Sequence, residues 1–170
     1  MALYFSTNSE NPFEIAITCD PALDMSNEEK AEYLKTGEGL KVKVGLAPTF
    51  FKVKALSPKD REDVETKAGA YIRSELGRIL WAEEPSNYKE KAYWRENLNE
   101  VERKALSNYE QYINRVYEEM IKAAVLEIVG VEGKPFDIIQ QIRPDGDRIQ
   151  TISELVIQIQ RLSLLGNAGK

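Results

Sequence analysis

Residues 49–60 read Thr49-Phe50-Phe51-Lys52-Val53-Lys54-Ala55-Leu56-Ser57-Pro58-Lys59-Asp60, and within this stretch the period of the chain changes. Phe51 and Val53 alternate with Phe50, Lys52 and Lys54, which is the two-residue period of a half-buried strand. Ser57-Pro58-Lys59-Asp60 then carries the marks of a helix start: a serine N-cap, a proline at the first helical position, and an acid three residues after the cap to hold otherwise orphaned amides. The junction divides the chain into a β-rich part, residues 1–56, and a helical part, residues 57–170, continuous in one domain.

Upstream, Phe13, Ile15 and Ile17 alternate with Glu14, Ala16 and Thr18 and predict a strand that stops at Asp20-Pro21. A short helix follows, capped by Ser26 or Asn27, with Glu28 and Glu29 in its first turn and an end at Gly37 or Gly39. Leu40, Val42 and Val44 alternate with Lys41 and Lys43. Across Gly45-Leu46-Ala47-Pro48 this run is expected to form a hairpin with 50–54, so that segments 13–18, 40–44 and 50–55 make one small sheet. The lysines on it suit a docking face for an acidic partner or, more ordinarily, a sheet edge guarded against unwanted strand pairing.

Downstream, Val64, Ala68, Tyr71, Ile72, Leu76, Ile79 and Leu80 keep the three-and-four spacing of one helix running toward Trp81. Pro85 interrupts, and Ser86 is placed as the cap of a stretch carrying Tyr88, Tyr93 and Trp94. From Leu98 a strongly periodic run (Val101, Ala105, Tyr109, Tyr112, Ile113, Val116, Met120, Ala123, Ala124) predicts a long helix to about Val129, ended by Gly130. Unbroken from Ser86 it would approach about 65 Å at about 1.5 Å per residue, so a break is placed at Asn97–Asn99. Phe136, Ile138, Ile139 and Ile142 fit a helix or a strand. Pro144-Asp145-Gly146-Asp147 reads as a turn, and Thr151-Ile152-Ser153-Glu154 as a capping box opening the last helix, whose stripe is Ile152, Leu155, Val156, Ile159 and Leu162. The expected fold class is α+β, mostly helical, with a small N-terminal antiparallel sheet packed against a bundle of amphipathic helices.

Composition narrows the function. With 42% hydrophobic and 30% charged residues the 170-residue chain has the make-up of an ordinary globular protein. A net charge of −5 opposes a nucleic-acid partner, and no apolar run reaches membrane-spanning length. The single Cys19 excludes an internal disulfide and any multi-cysteine metal site, and reads as a small buried filler. The chain has no histidine, which removes Ser-His and Cys-His pairs and histidine metal clusters. Gly37-Glu38-Gly39 lacks the third glycine of a dinucleotide loop, and Asp145 and Asp147 lack the further ligands of a calcium loop. The expectation is therefore a non-enzymatic chain without cofactor or metal; a hydrolase whose carboxylates converge only in the tertiary structure is the rival of another class.

Binding is expected through helix surfaces. Tyr88, Tyr93 and Trp94 sit among polar neighbours, and aromatic side chains favour interfaces because they bury much area with few rotors. On the last helix Ile157, Leu164 and Leu165 fall outside the narrow stripe, giving an apolar perimeter wider than one core requires. Self-association is one way to cover it.

The segment Thr49–Asp60, a strand ending in a leucine, small polar, helix junction, and the closing Ile152–Leu165 helix with its Leu162-Ser163-Leu164-Leu165-Gly166-Asn167 ending together resemble the tail assembly chaperones of tailed bacteriophages and related small phage structural proteins. The likeness covers about half of the chain; the extended N-terminal third and the insert from Glu83 to Asn99 depart from it. The resemblance implies an assembly factor of the host cytoplasm that binds tail proteins, the tape-measure protein among them, and keeps apolar helices soluble. A head, neck or tail component retained in the virion is the alternative from the same setting.

Overall fold

A computed structural model of the protein describes residues 12–69 and 74–165, with Leu165 described by its backbone alone. In chain order the elements are β1 (Phe13–Ala16), α1 (Asn27–Thr36), β2 (Phe50–Val53), α2 (Pro58–Ala68), α3 (Glu75–Glu83), α4 (Tyr88–Asn97), α5 (Glu100–Ala124), β3 (Val125–Ile128), α6 (Pro135–Ile139) and α7 (Asp145–Leu165). The fold is α+β and mostly helical, with a three-stranded antiparallel sheet in the order β1-β2-β3. The described residues form two compact units. One takes the chain up to Arg61 together with the chain from Met120 onward; the other is Glu62–Glu119.

In the first unit, Phe13 pairs with Val53 and Ile15 with Phe51, while on the other side of β2 Phe51 pairs with Ile128 and Lys52 with Glu127. Phe51 and Val53 are buried and Phe50 and Lys52 are not, as the alternation requires. Leu126 is the extra residue of an irregularity opposite Lys52/Val53, which bends the outer strand. The outer side of β1 is capped at Ala16, whose N–H donates to the Tyr33 hydroxyl (3.0 Å), and just past the strand the Thr18 N–H donates to the Glu154 carboxylate (2.6 Å). Both devices blunt an edge that would otherwise recruit a further strand. Helix α6 lies against β3 and α7, and α1 against α7.

The third strand differs from expectation. Residues 40–44 are not a strand of the sheet: only the isolated bridge Leu23↔Val42 remains of that pairing, and Val44 is fully exposed. The backbone there is spent on a neighbouring loop, with Asp24 N–H donating to Lys41 O and Lys43 N–H to Ala22 O, and Gly39 and Gly45 turn the chain at positive φ. The place in the sheet goes instead to Val125–Ile128, which the periodicity had assigned to the long helix. That helix stops at Ala124 because Val125 and Ile128 find buried positions beside β2.

The last helix also begins earlier than expected. Asp145 and Asp147 occupy its first turn, so 144–147 opens α7 rather than forming a separate turn. Thr151 to Glu154 is not a capping box: mid-helix, the Thr151 hydroxyl donates to Asp147 O and Glu154 turns inward. Other boundaries follow local chemistry. Ser26 and Glu29 make a reciprocal capping box, Gly37 ends α1 at φ 76°, and Ser57 and Asp60 cap the start of α2. Residues 135–139 are helical.

The second unit holds α2 from Glu62 on, α3, α4 and α5 up to Glu119. One cluster is Ala68, Tyr109 and Tyr112 with Ile113 and Val116 packed on it; the other is Leu80, Leu98 and Leu106 with Trp94 and Ala105. The helix expected from Ser57 to Trp81 is interrupted: α2 stops at Ala68, Gly69 takes φ 88°, and α3 starts at Glu75. Tyr71 and Ile72 lie outside the described residues, and Leu76 and Ile79 face solvent instead of joining a buried stripe. Gly77 lets α3 approach α5, since a side-chain carbon there would collide with the Ala105 carbonyl. The break between α4 and α5 falls at Leu98-Asn99, where Asn99 and Glu102 cap each other.

Candidate functional site

Helix α4 is held from its ends and one side. The Asn87 side chain, rather than Ser86, caps it by accepting from the Lys89 and Glu90 N–H groups. Arg95 joins Glu84 to Glu110, and Lys91 reaches Glu84 at 2.6 Å. Burial works to raise the Glu84 carboxyl, but hydrogen bonds from Arg95 and Lys91 outweigh it and leave the group below the usual carboxylate range. Trp94 packs on the Leu80, Leu98 and Leu106 cluster. Of the aromatic candidates it is therefore the anchor, while Tyr88 and Tyr93 are 84% and 71% exposed. No residue of α4 is buried. A helix so fixed presents two rigid aromatic side chains with little ordering left to do on contact.

Helix α7, in the other unit, has a wide buried arc. Thr151, Glu154, Leu155, Val156, Gln158, Ile159, Leu162 and Ser163 are all buried. From Ile149 on, its exposed described side chains are Ile149, Gln150, Ser153, Ile157, Gln160 and Leu164, and none of them is charged. Ile149, Ile157 and Leu164 are 60%, 44% and 65% exposed. The two outward candidates Ile157 and Leu164 thus share a ridge; the Leu165 side chain lies outside the described residues. Ile149, Ser153 and Gln160 belong to the same ridge: a helix opened at Thr151 would leave Ile149 in a turn, and Ser153 and Gln160 are polar, so no apolar repeat marks them.

The buried side of α7 is polar in places. Glu154 accepts from the Thr18 N–H and Thr18 Oγ1, both at 2.6 Å, and from Gln150 Nε2 at 2.8 Å. Cys19 beside it is half-buried, and burial first, then the Glu154 charge, pushes its thiol up, away from the thiolate form a nucleophile needs. Arg161 donates to Gln158 Oε1 and Thr36 O, tying α7 to the end of α1. Three lysines of the expected basic face are occupied within the chain: Lys41 pairs with Glu29, Lys43 Nζ donates to Pro21 O, and Lys52 pairs with Glu127 at 3.0 Å.

Asp145 pairs with Arg148 at 3.0 Å, and among the described residues no three histidine, cysteine or acidic side chains converge as a metal site would require. A cavity of about 380 Å³ between the end of α5 and the start of α6 is lined by Lys122, Val125, Lys134, Pro135, Phe136 and Asp137. No described helix is long and apolar enough to cross a membrane. No protein-family model, curated protein or solved structure matches the chain.

Proposed function

We propose that the protein is a non-enzymatic binding protein of tailed-phage assembly, a tail-assembly-chaperone-like factor that receives partner helices on its own helix surfaces. The observation that carries the reading is α4, a helix locked by Trp94, Arg95 and the Asn87 cap that nevertheless turns Tyr88 and Tyr93 to solvent. Exposed aromatic rings on a pre-ordered helix suit the capture of an amphipathic helix, whose apolar face supplies the anchors. The net charge of −5 would keep such a complex dispersed.

Co-expression with a helical segment of a phage tape-measure protein tests this. The wild-type chain is expected to keep the segment soluble and co-purify with it. Tyr88→Ser combined with Tyr93→Ser should lower the captured amount several-fold while circular dichroism stays unchanged. Equal capture by the double variant, or none by the wild type, overturns the reading. Mass spectrometry of purified particles then separates an assembly factor, absent from them, from a head, neck or tail component that remains.

A further inference from the structure

We propose that two copies of this chain pair antiparallel along α7, through Ile149, Ser153, Ile157, Gln160 and Leu164. At about 100° per residue these five side chains fall within an arc of about 80° and extend about 22 Å along the helix axis. The opposite arc is already buried, so among the described residues the ridge is the side of α7 left to meet another helix. It carries no charge, whereas the exposed positions of α2 include Lys59, Glu62, Asp63, Glu65 and Lys67.

The order along the ridge identifies the second copy as the occupant. A two-fold interface must be self-complementary, each residue meeting the counterpart of the residue that meets it. Ile149 and Leu164 are centred on a point midway between Val156 and Ile157, and Ser153 and Gln160 are centred on the same point. Running two copies in opposite directions about it puts Ile149 against Leu164 at both ends, Ser153 beside Gln160 within hydrogen-bonding reach, and Ile157 beside Ile157 at the axis. Polar thus meets polar and apolar meets apolar at every level. No like charges are opposed along the seam, which suits association of a chain of net charge −5. A contact of four helical turns falls below the roughly 1,200 Å² of stable interfaces, in the range of weak, transient ones. Monomer and dimer should therefore be in exchange, the dimer gaining with concentration.

The inference rests on reading helix surfaces as contact surfaces, yet it is tested on the purified chain alone, so capture of a partner through α4 can succeed or fail separately. Sedimentation velocity on the wild-type chain should show a concentration-dependent dimer. Ile157→Glu should abolish it with an unchanged circular dichroism spectrum. Register is read by oxidative cross-linking of the full chain in a Cys19→Ser background. Ile157→Cys should cross-link to itself. Ser153→Cys and Gln160→Cys should each fail alone, their like positions being about 10 Å apart along the axis, but should cross-link when mixed. A wild-type chain that stays monomeric into the millimolar range overturns the proposal. So does self-cross-linking of Ser153→Cys, which marks a parallel pair, or a dimer that survives Ile157→Glu.

Discussion

The outward sides of α2 and α7 are opposites. On α2 the solvent meets Lys59, Glu62, Asp63, Glu65, Thr66 and Lys67; on α7, from Ile149 on, it meets Ile149, Gln150, Ser153, Ile157, Gln160 and Leu164. The first is a solvated face, since charged groups lose their hydration if covered. Covering the second removes apolar surface from water and strands no ion. A helix already buried on one side and uncharged on the other has room for a second neighbour, and this contrast separates a face that only faces water from one that can bind.

The largest expected effect tests the inner side of α7. Ile159 is fully buried, so Ile159→Asp should cost about 4 kcal/mol or more through cavity formation and an unpaired buried charge. Chemical denaturation measures it, and a loss under 1 kcal/mol would mean that the inner and outer sides of this helix differ far less than their exposure suggests. Next comes Glu154→Ala, which leaves the Thr18 N–H and hydroxyl and the Gln150 amide without their acceptor. A cost of about 3 kcal/mol is expected, with Glu154→Gln recovering part of it; equal losses for the two variants would show that the carboxylate serves only as filling.

A smaller effect concerns the anchoring of α4. Because Glu84 titrates below the usual carboxylate range in the folded chain, its contribution is complete above its unfolded value, about pH 4.3, and is lost as pH falls through the lowered folded value. Glu84→Gln should therefore flatten the acid limb of stability against pH, and an unchanged limb would remove Glu84 from the account of how α4 is held. The smallest effect is the most telling for the comparison. Ile157→Glu on α7 and Glu62→Ala on α2 should each change stability by no more than about 0.5 kcal/mol, and only the first should alter association. If Ile157→Glu unfolds the protein, the ridge belongs to the core.

How much was legible follows the range of the interaction. Ser26 with Glu29, Ser57 with Asp60, and the break before Asn99 are decided within a few residues, where side chains compete for the backbone's own donors. The burial of Phe51 and Val53 was legible because alternation on β2 has one consistent inside, whereas on β1 the expected alternation fails, Ala16 and Thr18 being buried along with Ile15 and Ile17. β3 was not legible. Val125–Ile128 follows Ala124 with no glycine or proline between them, and Val125 and Ile128, three residues apart, keep a helical period; only the irregularity at Leu126 turns both to the buried side of a strand. Thr151 to Glu154 misled for the converse reason. It carries a local helix-start pattern, but Glu154 finds Thr18, 136 residues away, and the helix runs back past it to Asp145. Of the uncharged ridge, Ile157 and Leu164 were legible as apolar residues beyond one stripe; Ile149 joins them because α7 starts at Asp145, and Ser153 and Gln160, being polar, carry no apolar signal and are placed there by their exposure.

By itself, then, the sequence determined the α+β class, the helix ends capped from within, the buried alternation of β2, and the absence of histidine chemistry, because each depends on composition or on neighbours a turn away. Tertiary structure decided which apolar segment completes the sheet, that 40–44 is left outside it, where α7 begins, and which of its sides stays open. Those outcomes are competitions between distant segments for the same partner, as Val125–Ile128 and 40–44 compete for a place in the sheet. The winner is set by how well each buries its side chains and satisfies its backbone together, which no local pattern records.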